Sequence, residues 1–540
     1  MMRHLKAQRL GVVLVAALAG ALLLSSCATS ASKSTTTSSP HAAAATTSAN
    51  ITTLRSPAIP GVSPLPGPIA SPAKPSLTMG VLHVTPDQAV AGAPMTISGS
   101  HLPANAKVEL TWSSANATWL VEPEPDTVNY LGRADTLFAV VLKTTTTNAS
   151  GSFSVKLKAP QDWGGLHDIY AVIKGVEDAH GGFILSRTVT VSPTSGPIGT
   201  PITITYSGIG ATLYTGGASL LWDNHYVGEL MANWTRGVAR TTIRAAGPVG
   251  RHTIQIGNAI SYLYLNVPQS PIPYTNGATV TFTVTKDDGP PPASIDWPVN
   301  VAPTLSARTT LKTSGLEAGS NVKATLATTK GPVDTSVELS ASGLPKAAPV
   351  NLVWSTVVGN RVNCASTCWA FVSQPLGSAT PSGGSLQTNV KIPDGLGGWH
   401  VVQLVQNGKI LAQVPFYVEE SIVGKGVSSI VVKEGQSFTI HLKGVGWTQL
   451  DNTVAVDYDN SYMGYGCGFN SNGDVLLHIN ATGGPGTHLI DLYPMLYSLS
   501  PSFAETPYGM VPVLTYARDE PALALGYHLP AMRLAITVVK

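Results

Sequence analysis

Apolar residues recur at every second position in short runs: Val108, Leu110 and Trp112; Ala218, Leu220 and Trp222; Val350, Leu352 and Trp354; Val454, Val456 and Tyr458. Alternation with period two predicts strands that turn one face to a core and the other to solvent. The aromatic closing each run is therefore expected inside. Clusters of Gly, Pro and Asn separate the runs, and no amphipathic helical stretch occurs outside the N-terminal leader. The chain reads as all-β.

Internal repeats set the larger organisation. At an offset of 236, Gly199, Thr203, Ile204, Gly208 and Gly210 fall on Gly435, Thr439, Ile440, Gly444 and Gly446. Asp223, Asn224, Tyr226 and Gly228 fall on Asp459, Asn460, Tyr462 and Gly464, and Gly247, Gly250, His252 and Ile254 on Gly483, Gly486, His488 and Ile490. A second pair, at 242, matches Leu102-Pro103, Val108, Leu110 and Trp112-Ser113 with Leu344-Pro345, Val350, Leu352 and Trp354-Ser355. After a change of loop length, Gly164-Gly165-Leu166-His167 matches Gly397-Gly398-Trp399-His400. The expected architecture is a duplicated pair, A1-B1-A2-B2, of four tandem immunoglobulin-like β-sandwich modules at 78–192, 193–303, 304–419 and 420–540.

The segment from Pro193 to Gly210 resembles the opening of bacterial immunoglobulin-like repeats of the IPT/TIG kind. Asn148 to Val155, followed by Gly164-Gly165-Leu166-His167, resembles their middle and penultimate strands. The tails 269–303 and 499–540 and the stretch Trp112–Asn148 depart from that pattern. The resemblance implies a seven-strand sandwich and a surface, scaffolding or adhesive setting. Such repeats also stand beside enzymes and carbohydrate-binding domains, so fold does not fix function.

The leader supplies a location. Arg3, Lys6 and Arg9 precede an apolar run from Leu10 to Leu24, too short to span a bilayer comfortably. The run ends in Leu24-Ser25-Ser26-Cys27, which looks like the lipobox of bacterial lipoproteins. That reading makes 1–26 a lipoprotein signal peptide and Cys27 the lipidated residue. The membrane becomes a partner through acyl chains, and everything downstream faces outward. An ordinary secretory signal cut near Ala28 is the plainer alternative. Residues 27–77 turn to Ser, Thr, Ala and Pro and are expected to form a disordered, partly polyproline tether that carries the modules as a stalk.

Composition narrows function further. Of 540 residues 43% are hydrophobic and 11% charged, against about 25% charged in an average soluble protein. Of 32 Lys and Arg, three lie in the leader, so 29 face 30 Asp and Glu. A chain this neutral lacks the basic footprint of a nucleic-acid binder and is poor in side chains for general acid–base work. It contains no Gly-x-Ser-x-Gly elbow, His-Glu-x-x-His, P-loop or dinucleotide fingerprint. A non-enzymatic surface scaffold, adhesin or spacer without a cofactor is expected.

Candidate binding residues lie in loops. The stretch Trp112–Asn148 carries Trp119, Glu122, Glu124, Asp126, Tyr130 and Asp135, and its A2 counterpart carries Arg361, Cys364, Cys368 and Trp369. These loops are the expected recognition surfaces for a surface glycan or protein. Tyr226 and Tyr462, in the repeated Asp-Asn-x-Tyr-x-Gly, could stack on a sugar, although a tight turn accounts for that motif. Asp457 and Asp459 do not open a calcium loop, because Tyr462 stands where Gly is needed and Gly468 where Glu is needed. One histidine per module, at His167, His252, His400 and His488, points to rings that cap backbone groups rather than to one shared metal. Cys364 and Cys368 could close a small disulfide loop, leaving Cys467 free. Pairing of Cys467 with that loop is the alternative, and zinc spacing is absent.

Overall fold

The computed structural model describes residues 51–124, 127–211, 216–257, 277–305, 315–345, 348–359, 369–424, 430–496 and 511–540. Cys27, Asp126, Arg361, Cys364 and Cys368 lie outside them, and for Glu124 and Trp369 only the backbone is described. Among these residues there is no α-helix.

The first copy of the 236-residue repeat shows how the alternation is used. In Pro201–Ser207, Ile202, Ile204 and Tyr206 are buried while the residues between them are not. They face Leu220, Trp222, Ile254 and Phe282 in a common core, each such side chain contributing roughly 1.5–3 kcal/mol by leaving water. Thr188–Ser192, Pro201–Ser207 and Val238–Arg244 make one antiparallel sheet. The other sheet runs in the order Ser195–Gly196, Ala278–Val284, Gly250–Gly257, Gly217–Trp222, His225–Met231. The opening strand is split between the sheets: Thr188–Ser192 pairs with the first, then Ser195 runs parallel to Thr283 of the second. This is the wiring of an immunoglobulin-like sandwich.

The second copy repeats it strand for strand. Ser437–Lys443, Thr453–Tyr458, Ser461–Cys467 and Gly486–Pro494 begin 236 residues after Pro201, Gly217, His225 and Gly250. Both hairpins turn on Asp-Asn with positive φ, 49° and 67° at Asp223 and Asn224, 50° and 60° at Asp459 and Asn460. Two successive positive φ angles define the type I′ turn, which Asn and Asp tolerate. The A-type segments share the plan, with separate cores around Trp112 and Trp354.

Three expectations need correction. The stretch Trp112–Asn148 is largely not a loop: Lys107–Glu124 and Thr127–Thr146 pair as one long hairpin, in register from Lys107↔Thr146 to Glu124↔Thr127. Its far end buries Trp119, Val121, Val128 and Tyr130. The tether does not extend to residue 77. Thr52–Leu54 pairs with Trp119–Val121, Leu54 is buried, and Lys74–Thr85 already joins a sheet. Nor is every core confined to one segment. One continuous cluster joins Trp119 and Tyr130 to Ile204 and Trp234, to Trp399 and Tyr417, and to Leu450, Leu514 and Leu525. The apolar surface of each segment is thereby shared with its neighbours, an arrangement that periodicity within a segment does not encode.

Candidate functional site

The junction is built by the connection between the last two strands of the second copy. Its residues 511–519 lie on the first copy, while Tyr527 and His528 further along pack on Tyr417 of the A2 segment. Glu229 N–H donates to Pro512 O at 2.8 Å and Leu514 N–H to Glu229 O at 3.0 Å, so the segment runs parallel to the edge strand His225–Met231. Thr241 Oγ1 donates to Leu514 O at 2.7 Å, and Thr515 Oγ1 accepts from Met231 N–H at 3.1 Å. Approach this close needs Gly228, where a Cβ would stand 2.8 Å from Leu514 Cγ. An otherwise open sheet edge is thus paired within the chain.

Beyond that strand, the fully buried Asp519 gathers donors from two other segments. It accepts from the Trp234 amide at 3.5 Å, from the Asn233 amide and from the Trp119 indole. Burial pushes its carboxyl up to about 7, while these hydrogen bonds and the charge of Arg133 pull it down. Arg133 also donates to Asn233 Oδ1 at 3.1 Å, and Tyr130 N–H donates to Gln449 Oε1 at 3.0 Å. The hairpin end is therefore held by both copies. Glu520 caps the short turn Pro521–Leu525 through Ala522 N–H at 2.8 Å.

A second buried network lies between the copies. Arg244 of the first forms an ion pair with Asp491 of the second at 2.6 Å, and Arg533 stands 3.6 Å from the same carboxylate. Arg533 also contacts Asp296 at 2.9 Å, the Tyr493 hydroxyl at 2.7 Å and the Thr242 carbonyl at 3.0 Å. Asp457 lies directly across from Asp491 in the ladder. Burial, reinforced by Asp491, pushes the Asp457 carboxyl well above the usual range. Two carboxyl groups thus share one buried site with two arginines, and burial favours the neutral form of Asp457. Burial does the same to Glu420 and Glu520, with Asp451 and Asp519 respectively adding to it.

These acids were not singled out by sequence. A signal existed: Asp457 and Asp491 occupy places where the first copy has Leu221 and Gln255. Charges that appear where two copies of one repeat differ mark a contact that the repeat alone does not make.

The residues that were singled out are placed as follows. Trp119 is fully buried, edge-on to Trp234 at 6.3 Å between ring centroids, and offers no surface platform. Glu122 is half-buried and accepts from Asn129 at 3.3 Å. Tyr226 and Tyr462 meet edge-to-face at 6.3 Å, packing the two copies together. The histidines cap backbone: Nε2 of His167, His252, His400 and His488 meets the carbonyl four residues earlier at 2.7, 2.7, 2.9 and 2.9 Å. In the two copies Nδ1 also meets Asp223 at 2.5 Å and Asp459 at 2.6 Å. Trp112, Trp222 and Trp354 are buried beneath these rings, whereas Tyr458 is half-buried. Cys467 is a free, half-buried thiol.

No family model and no curated protein matches the sequence. Solved structures do. The chain is similar to an Escherichia coli adhesin, FdeC, at 13% identity over 66% of this chain and 99% of that one, with a TM-score of 0.14. A membrane-anchored protein of Corynebacterium diphtheriae aligns at 14% identity over 85% and 91%, with a TM-score of 0.15. A Salmonella alpha-2-macroglobulin aligns at 10% identity over 84% of this chain, with a TM-score of 0.16, and the chain spans only 30% of its length. Scores this low describe no shared overall arrangement.

Proposed function

We propose that this protein is a non-enzymatic scaffold held at the outer face of a bacterial membrane by a lipid on Cys27, with immunoglobulin-like modules displayed beyond a short tether. The observation that carries the reading is the strand 511–515 seated on Glu229, with Asp519 behind it: the chain's buried polar groups are used to join segments to one another. Rigid joining suits a protein that presents surfaces or spaces other groups from the membrane. The neutral composition and the leader agree with it. Adhesion is one use of such a scaffold. The glycan reading draws little support, because Trp119, Tyr226 and Tyr462 are occupied in packing.

Metabolic labelling with an alkyne fatty acid, followed by cell fractionation, tests the anchor. Label on the mature protein, abolished by Cys27→Ala together with release into the medium, is expected. An unlabelled protein that remains in the cytoplasm would overturn the proposal.

A further inference from the structure

The two copies of the repeat differ in one respect that the duplication makes readable. In the first copy, the gap between the strands His225–Met231 and Val238–Arg244 is filled by Val511–Thr515. In the second, the equivalent gap among the described residues is an open groove of about 540 Å³, lined by Met463–Cys467 on one side and by Asp474–Ile479 on the other, with Ser471 and Val456 completing it; Asp474 is paired with His441. Tyr465 stands at the place of Glu229, whose N–H and C=O bond the inserted segment. Among the described residues, Ser461–Cys467 pairs with Thr453–Tyr458 alone.

The apolar contacts are present as well. Met463, Tyr465 and Leu476 are 53%, 46% and 54% exposed. Gly464 keeps the glycine that in the first copy makes room for Leu514, and a Cβ there would meet nothing within 4 Å. The groove begins one residue from Tyr462, so it continues the contact between the copies.

We propose that this groove binds an extended, uncharged aliphatic strand of a partner protein, of the Val-Pro-Val-Leu-Thr type seen on the first copy. The strand adds parallel to Ser461–Cys467, exchanges two backbone hydrogen bonds with Tyr465 and seats a branched aliphatic side chain over Gly464. Main-chain pairing supplies affinity and the pockets for alternate side chains supply selectivity. This deepens the scaffold reading and rests on it, yet fails separately: loss of the lipid anchor would leave the groove unchanged.

Cys467 makes the test direct. It occupies the place of Met231, whose amide faces Thr515 in the first copy. A peptide with the sequence of residues 511–516, carrying cysteine at the Thr515 place as a thiopyridyl disulfide, should exchange onto Cys467 of the full chain. The rate should exceed that of a scrambled peptide at least ten-fold, as located by peptide mapping. N-methylation of the peptide's leucine, or Tyr465→Pro in the protein, should remove the advantage, since each deletes one of the two donors. Alkylation of Cys467 by iodoacetamide should be unchanged by Tyr465→Pro. Equal rates for matched and scrambled peptides, or an advantage that survives N-methylation, would overturn the proposal.

Discussion

Arg244 in the first copy of the repeat and Asp491 in the second form a buried ion pair at 2.6 Å. The charge is held where two sandwiches meet, and Arg533 shares the same carboxylate. Removing the acid leaves the buried Arg244 guanidinium without its ion-pair partner, while Arg533 keeps Asp296. Asp491→Ala is expected to cost about 3–5 kcal/mol in chemical denaturation. Asp457→Asn, directly across the ladder, should cost under about 1 kcal/mol, because burial and Asp491 already push this carboxyl toward the neutral form that asparagine resembles.

Asp519 makes stability depend on pH in an unusual sense. Its carboxyl sits at about 7 when folded, against an ordinary value of 3.8. Between these values the folded state binds more protons than the unfolded one, so stability falls as pH rises from about 4 to 7 and then levels off. Glu420, Glu520 and Asp457, pushed up by burial, act in the same direction. His400, which burial lowers to about 4, acts in the opposite one below 6.5. Asp519→Asn should flatten the decline between pH 4 and 7 in denaturant titrations. An unchanged slope would mean that this carboxyl is ionised throughout.

The histidine clamps are structural and should behave so. Asp223 accepts from Thr253 N–H at 2.7 Å as well as meeting His252. Asp223→Ala leaves both groups without that partner and should destabilise by about 1–3 kcal/mol. Zinc should neither rescue the loss nor shift the melting temperature of the unaltered protein.

Gly228 is required by the strand that crosses it. In Gly228→Val the new side chain would run into Leu514 and the Pro512 carbonyl, each 2.8 Å from the Cβ position. The segment should lift from the edge at a cost of about 1–3 kcal/mol. Trypsin should then cut after Arg518 at least ten-fold faster, which limited proteolysis reads directly.

The strands and the duplication were legible in the sequence because both are local signals. Ile202, Ile204 and Tyr206 alternate within one strand, and Asp223-Asn224 specifies its turn wherever it occurs. The junction was not legible in this way. Trp119 belongs to an amphipathic hairpin whose partner surface, Trp234 and Asp519, is supplied by residues over a hundred and then several hundred positions away. The stretch 499–540 departs from the repeat pattern of Pro193–Gly210 and its kind, and part of it, 511–519, is the segment that joins the copies. Ser, Thr and Pro led 51–77 to be read as tether, although Leu54 is buried and its strand finds an open edge at Trp119–Val121. Composition reports what a segment can bury by itself, not what a neighbour offers it.

That the copies are one mechanical unit is tested most directly by hydrogen exchange followed by mass spectrometry on Asp491→Ala. If they are joined as described, protection should fall together, and by the same free energy, in Pro201–Ser207 of the first copy and Ser437–Lys443 of the second. Faster exchange confined to the second copy, with the first unaffected, would contradict a single joined body.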